Sequence, residues 1–176
     1  MTNTPHIVTD KVRNSKIAST DFEKLVFGKN FTDHMLECTW SDGKWSDVNI
    51  KPYGPIQMEP SCKVFHYGQA IFEGMKAFKD ADDEVHLFRP DDNWKRFNAS
   101  AKRLAMPEVP EEVFMDGIKQ LVALDKDWVQ KGDGLSLYLR PFMIASENGV
   151  AAAPATQYKF MVIMSPARAY YSGDVR

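Results

Sequence analysis

Residues 135–141 read Leu-Ser-Leu-Tyr-Leu-Arg-Pro and form the most regular stretch of the chain. Leucines at 135, 137 and 139 alternate with Ser136, Tyr138 and Arg140. Because successive side chains of a strand point to opposite faces of a sheet, the alternation predicts a strand with one face on an apolar core and the other on a wet cavity. Pro141 is expected to keep Arg140 extended.

Further β-structure is predicted on both sides of this strand. Residues 158–164 are an apolar run that indicates a buried strand. Four shorter runs are predicted to pair as two β-hairpins, the first around an Asp-Gly turn and the second around an acidic turn. The paired runs are 34–40 with 45–50, and 75–78 with 85–88.

Three helices are expected. A helix over 90–104 starts at a proline followed by two acids, which suit the positive end of the helix dipole, and its apolar residues recur at helical spacing. A second helix carries an apolar stripe over 113–124, and a short one is predicted from 64 to 72, closing at Gly74. Hairpins followed by two helices and two strands favour an α+β fold, with an antiparallel-rich sheet and flanking helices.

Composition excludes several function classes. The 176 residues are 44% hydrophobic and 26% charged, which suits one globular domain. A net charge of -2 leaves no basic excess for nucleic acid, and no apolar run approaches the roughly 20 residues that a membrane span needs. The four scattered histidines and the lack of an HExxH or CxxC pattern predict no metal site.

The cysteines and the N-terminus bear on location. Cys38 and Cys62 are predicted to be reduced, packed thiols in a cytoplasmic compartment, with a bridge between them as the alternative. Residues 1–26 are predicted to be a polar arm that stays disordered until it docks. The alternative for this arm is an organelle transit peptide, because basic residues outnumber its acids up to residue 20.

Tyr138 and Arg140 are the first candidates for chemistry. Residues i and i+2 of a strand share one face, so the phenol and the guanidinium are expected on one surface. A planar fork of N–H donors beside a hydroxyl is suited to a carboxylate. The alternative for Arg140 is a surface salt bridge.

Two further features are less specific. Residues 66–74 combine two aromatic rings, two glycines and a glutamate, which indicates tight packing near a ligand. The alternative is that Phe72 belongs to the core and Gly74 only stops a helix. By helical periodicity, Arg96 is a charge at the rim of its helix, with its aliphatic stem over the core.

Five motifs, in this order, closely resemble the branched-chain amino-acid aminotransferases, which are fold type IV pyridoxal-phosphate enzymes. The resemblance runs from about Phe27 to Tyr170. The motifs are Phe31-Thr32-Asp33-His34-Met35, His66-Tyr67-Gly68, Phe72-Glu73-Gly74-Met75-Lys76-Ala77-Phe78, Leu87-Phe88-Arg89-Pro90 and Ser136-Leu137-Tyr138-Leu139-Arg140-Pro141.

The resemblance implies an activity and a set of roles. The family moves the amino group of leucine, isoleucine or valine to 2-oxoglutarate through pyridoxal phosphate. Arg96 matches the arginine that binds the cofactor phosphate, and Tyr138 and Arg140 match the pair that meets substrate carboxylates. The aromatic wall around the branched side chain corresponds to Phe31, Tyr67, Phe72 and Tyr170. In the family's homodimer, Tyr67 and the loop near Val150 reach into the partner's site.

The resemblance also implies a division of the chain. Residues 27–172 correspond to the smaller N-terminal domain, and 173–176 to the start of the linker between domains. The lysine that forms the Schiff base is expected beyond residue 176, in a larger domain, so this chain alone is expected to be inactive. Two alternatives stay open: a relative such as a D-amino-acid transaminase or aminodeoxychorismate lyase, and a noncatalytic binding or dimerisation module.

Overall fold

The computed structural model describes residues 6–168, and a large β-sheet is the centre of this region. The strands are β1 Ile7–Thr9, β2 His34–Ser41, β3 Lys44–Trp45, β4 Val48–Pro52, β5 Ala70–Phe72, β6 Met75–Lys79, β7 Val85–Leu87, β8 Ser136–Ala145 and β9 Tyr158–Ala167. The helices are α1 Lys63–Tyr67, α2 Pro90–Arg103 and α3 Glu111–Leu124, with short 3-10 helices at Ile17–Ser19, Phe22–Lys24 and Lys126–Trp128.

The sheet is mostly antiparallel. Its strands lie in the order β1-β4-β2-β9-β8-β6-β7, with β3 paired to β2 and β5 paired to β8. Only the β1–β4 pair is parallel within the described residues. The central pair, β8 and β9, is in register over ten residues from Ser136↔Ala167 to Ala145↔Tyr158. Both predicted hairpins and the α+β fold are therefore confirmed.

The two faces of β8 differ as its sequence predicts. Leu137 and Leu139 are fully buried, whereas Tyr138 and Arg140 on the opposite face are half-buried. The core on the buried face includes three rings that pack together with centroids 5.5–5.8 Å apart, from α2, α3 and β9. These rings belong to Phe97, Phe114 and Phe160. The core thus fixes β8 from behind and leaves its polar face for a ligand.

Helix α2 follows its sequence signals closely. Pro90 is its first residue, Asp91 and Asp92 lie in its first turn, and two basic residues lie in its last turn. This charge order complements the helix dipole at both ends. None of the described helices combines the length and the apolar character that would carry it across a membrane.

The prediction of one helix from 64 to 72 is wrong. Helix α1 ends at Tyr67, because Gly68 takes a left-handed conformation with φ of 64°. The chain then extends, and Ala70–Phe72 pairs as β5 with Ile144–Phe142 of β8. A three-residue strand is too short to show a period of two, so its partner across the sheet decides its structure.

Residues 6–26 of the predicted N-terminal arm lie docked against the sheet. β1 extends the sheet at β4, and polar atoms of β2 and its preceding loop fix the chain beyond it. The Val12 N–H donates to His34 Nε2 at 3.0 Å, and the Lys16 N–H donates to Asp33 Oδ1 at 2.9 Å. These hydrogen bonds, together with the packing of Ile7, Ile17 and Phe22 against the core, order the segment. Residues 173–176, the predicted linker, lie outside the described residues.

The two cysteines are free and buried. Cys38 contacts Ser46, and Cys62 donates a hydrogen bond to the carbonyl of Ala145. Burial raises the pKa of Cys38 to about 11, so its thiol stays protonated at neutral pH. The prediction of packed thiols is confirmed, and the alternative of a bridge is not.

Candidate functional site

The centre of the site is a pair of side chains on the polar face of β8. Arg140 donates from Nε and Nη2 to the hydroxyl oxygen of Tyr138, at 3.0 and 2.8 Å. The guanidinium carbon lies 4.3 Å from the ring centroid of Phe72, so the planar group is also held over an aromatic face. The prediction that phenol and guanidinium share one surface is confirmed.

Arg140 has donors left over. Two of its five N–H groups meet Tyr138, and a guanidinium accepts nothing. Within residues 6–168, no carboxylate forms an ion pair with it. The salt-bridge alternative is therefore not seen among the described residues, and the guanidinium is held by neutral groups that leave its charge available.

The Tyr138 hydroxyl lies against a glycine at the short break between β5 and β6, which pair with β8 in one continuous register. A Cβ atom on Gly74 would lie 2.7 Å from the hydroxyl oxygen, which is closer than real contacts allow. The Phe27 ring packs edge-on against Tyr138 with centroids 5.1 Å apart. Glycine is thus required at 74 by the close approach of a ring, and the alternative role of a helix stop is wrong.

Next to this glycine, Glu73 binds Arg96. The Glu73 carboxylate, whose side chain is 3% exposed, accepts from Arg96 Nε at 2.5 Å and Nη2 at 2.7 Å, and from Asn93 Nδ2 at 2.8 Å. Burial by itself would raise the pKa of Glu73, but the hydrogen bonds from Arg96 and Asn93 outweigh it, and the pKa lies below its usual value. Glu73 is therefore a carboxylate at neutral pH.

A cleft of about 510 Å³ is lined by Gly74, Tyr138 and Arg96, whereas Arg140 is not among its lining residues. Three basic side chains and one acid are among those that line it, so cations outnumber anions at its walls. The Gly74 backbone and the Tyr138 ring form one side. The charged lining residues are Lys76, Arg89, Asp92 and Arg96. Such a lining favours an anion.

Tyr67 and Val150 form a second, separate feature. The Tyr67 hydroxyl donates to the Val150 carbonyl, and both side chains are largely exposed. The loop that carries Val150 is held by Lys63, whose buried ammonium pairs with Glu147 at 2.8 Å and donates to the Ala153 carbonyl at 3.1 Å. The structure therefore presents Tyr67 and the loop tip together on the surface.

The remaining predicted residues are placed less directly. Phe31 stacks on Tyr53 with centroids 4.7 Å apart and planes 13° from parallel. Arg96 is largely exposed at the rim of α2, as its helical position predicts. Tyr170 lies outside the described residues. The structure thus brings Phe72, Tyr138 and Arg140 into contact and links Arg96 to them through residues 73 and 74.

Sequence reasoning missed the residues that hold the site in place. Glu73 and Gly74 lie in the segment that stands out for its composition, but no spacing links Glu73 to Arg96. Lys63 gives no signal at all, because a lysine is expected at the surface. Each becomes visible only when strands that are far apart in sequence come together.

Comparisons with individual proteins point to one family, although no profile of a known protein family matches the chain. The branched-chain-amino-acid aminotransferase of Mycolicibacterium smegmatis is 47% identical over 170 residues, which cover 96% of this chain and 45% of that protein. Branched-chain-amino-acid aminotransferase 2 of Bacillus subtilis is 42% identical over 174 residues, covering 98% and 48%. The chain thus spans about half the length of these curated relatives.

Solved structures give the same picture. A branched-chain aminotransferase from Thermoproteus uzoniensis, solved with norvaline, aligns with a TM-score of 0.54 at 20% identity, over 74% of this chain and 41% of that one. A T.th. branched-chain amino acid aminotransferase, solved with pyridoxamine 5'-phosphate, aligns with a TM-score of 0.54 at 27% identity, over 79% and 42%. The fold described above is that of the N-terminal domain of such structures.

Proposed function

Because this chain is homologous to the branched-chain-amino-acid aminotransferases over nearly all of its length, we propose that it forms one wall of the active site of such an enzyme. The proposed reaction transfers the amino group of leucine, isoleucine or valine to 2-oxoglutarate. One observation carries the proposal: Arg140 is fixed by Tyr138 and Phe72 and keeps free N–H donors on a half-buried surface.

In this proposal Arg140 binds a substrate carboxylate. The guanidinium fork matches the two oxygens of a carboxylate, and its contacts with neutral groups leave the charge unpaired. Tyr138 orients the fork, and Phe31, Tyr67 and Phe72 form the apolar wall for the branched side chain, to which the resemblance adds Tyr170 outside the described residues. The same Arg140 then admits glutamate, because it provides a charged partner in an otherwise apolar pocket.

The residues present fit a phosphorylated cofactor. Arg96 keeps three N–H groups beyond the two that Glu73 uses, and it lies on a cleft with an excess of cations. The absence of a side chain at Gly74 leaves the cleft open beside Tyr138. We assign the phosphate contact to Arg96. Pyridoxal phosphate, when bound, supplies the electron sink for the reaction.

The described residues also favour a homodimer. Tyr67, the last residue of α1, is 49% exposed and bonds to the carbonyl of Val150, which is 64% exposed on the loop that the Lys63–Glu147 ion pair holds in place. We propose that this loop docks on a second copy and contributes to its site. The two free thiols suit a reducing compartment, and we propose the cytoplasm.

A domain exchange tests the proposed function. This chain replaces the 174 matched residues of Bacillus subtilis branched-chain-amino-acid aminotransferase 2, and amino donors are screened with 2-oxoglutarate. The chimera is expected to use leucine, isoleucine and valine and to ignore D-alanine. Arg140→Ala in the chimera is expected to lower this activity, and Arg13→Ala, a change on an exposed residue of the arm, is the matched control for arginine removal. A preference for D-amino acids, or equal loss of activity in the control, would contradict the proposal.

A further inference from the structure

Glu73 lies behind the cleft, next to its lining residues Gly74 and Arg96, and its side chain is almost completely buried. Its backbone N–H donates to the Pro141 carbonyl at 2.8 Å, which fixes it to β8 directly after Arg140. Its side chain is 3% exposed, whereas that of its partner Arg96 is 69% exposed. The contact therefore joins a buried carboxylate to a side chain that is largely exposed.

The geometry of the contact fixes a plane. Arg96 Nε donates to one carboxylate oxygen of Glu73, and Arg96 Nη2 donates to the other. Such a fork-to-fork pair holds the guanidinium in one orientation, whereas a single contact would let it rotate. Asn93 Nδ2 donates both to Glu73 at 2.8 Å and to the Gly74 carbonyl at 3.3 Å, which steadies the carboxylate in turn.

Fixing an exposed arginine has a consequence for binding. A free arginine loses rotamer entropy when it grips a ligand, and a side chain that is already ordered loses less. Arg96 keeps three N–H groups that do not bond to Glu73, and its side chain lines the cleft described above. A carboxylate that acts on Arg96 in this way affects a bound anion without touching it.

We infer that Glu73 is a positioning residue, which orients the Arg96 guanidinium so that its remaining N–H groups meet a phosphate. The inference rests on the proposed function, since the phosphate is taken to be that of pyridoxal phosphate. Glu73 itself touches neither cofactor nor substrate. It acts through Arg96 alone.

The experiment follows the Arg96 Nε–H signal of the full 176-residue chain by nitrogen-15 NMR. The probes are pyridoxal 5'-phosphate and pyridoxal, which lacks the phosphate. The variants are Glu73→Gln, which removes the charge at constant shape, and Glu73→Asp, which keeps the charge but withdraws it by one methylene. Glu37→Gln is the matched control, because Glu37 is a partly buried carboxylate with two lysine partners outside this cleft.

Pyridoxal phosphate, but not pyridoxal, is expected to shift the Arg96 signal of the wild type. Glu73→Gln is expected to raise the Kd for pyridoxal phosphate, read from that shift, about tenfold, which is the size of effect seen when a group that orients a ligand-binding side chain is lost. The Kd of Glu73→Asp is expected to lie between those of the wild type and Glu73→Gln, and the Kd of Glu37→Gln is expected to match that of the wild type. If one Glu73 variant does not fold, the other provides the same comparison.

Three results overturn the inference in different ways. If pyridoxal phosphate leaves the Arg96 signal of the wild type unchanged, the phosphate contact of the proposed function fails, and the role of Glu73 fails with it. If the wild type responds and the Glu73 variants respond equally, Arg96 binds phosphate without help and only the inference is wrong. An equal loss in Glu37→Gln also contradicts it, because the effect would then be general.

Discussion

Replacing Gly74 by alanine tests the packing on which the site depends. The added Cβ would lie 2.7 Å from the Tyr138 hydroxyl oxygen, whereas ordinary contacts begin at 3.4 Å, so the ring must move by about 0.7 Å. Phe27 restrains the ring, and the hydroxyl accepts two hydrogen bonds from Arg140. The phenol and the guanidinium are therefore expected to be displaced together.

The size of the effect can be bounded. Forcing extra volume into a packed site costs about 1–3 kcal/mol. Alanine recovers about 0.4–1 kcal/mol by restricting the unfolded chain, because Gly74 does not use a left-handed conformation. The two ranges leave a net loss of about 0–2.6 kcal/mol in the free energy of unfolding, centred near 1.3, and a chain of this length loses about 2–4 °C of Tm for each kcal/mol.

The assay is thermal or urea unfolding of five proteins: the wild type, Gly74→Ala, Gly54→Ala, Tyr138→Phe and the double variant of Tyr138→Phe with Gly74→Ala. Gly54→Ala is the matched control, because a Cβ there meets nothing within 4 Å. Tyr138→Phe removes the oxygen that clashes, so Gly74→Ala is expected to cost about 1 kcal/mol less in that background. The reasoning is refuted if Gly74→Ala is as harmless as Gly54→Ala, or if its cost is the same with and without the hydroxyl.

Three further outcomes are expected. The hydrogen bonds from Lys63 and then Thr156 lower the pKa of Glu147 from 4.5 to about 2, so the stability that the Glu147 carboxylate contributes is present above about pH 4.5 and is lost as the pH falls toward 2. In urea unfolding from pH 2 to 5, Glu147→Gln should therefore lose less stability on acidification than the wild type, and identical profiles would count against this. The chain should self-associate through its exposed aromatic surface, which sedimentation at several concentrations checks, and a monomer at high concentration that binds no hydrophobic dye would argue otherwise. Since none of its lysines matches the family's cofactor lysine, pyridoxal phosphate with borohydride should label surface lysines slowly and unevenly, and a stoichiometric adduct at one lysine would disprove the assignment.

The sequence predicts what local periodicity controls. The alternation over 135–141 gives β8 and its two faces, and the proline and acids at 90–92 give the start of α2. Short pieces without a period are missed. β5 is a strand only because β8 pairs with it, and the helix before it stops at a glycine whose left-handed conformation the composition of 66–74 leaves undecided.

Long-range contacts escape the sequence for a different reason. Glu73 and Arg96 are 23 positions apart, and Tyr67 and the carbonyl of Val150 are 83 apart. Charge alone pairs any acid with any base, so only the sheet topology selects these partners. The resemblance supplies the roles of Arg96, Tyr138 and Arg140, and the structure adds how residues 73 and 74 hold them.

The most direct test of the central claim is kcat/KM for leucine and for glutamate in the chimera, with and without Arg140→Ala. If Arg140 binds a substrate carboxylate, its removal costs about 1.5–3 kcal/mol of binding, or roughly a ten- to hundredfold loss. Glutamate falls further than leucine if the contact is with the side-chain carboxylate, and both fall together if it is with the α-carboxylate. Unchanged kcat/KM for both substrates, in an enzyme that remains folded, would contradict the account.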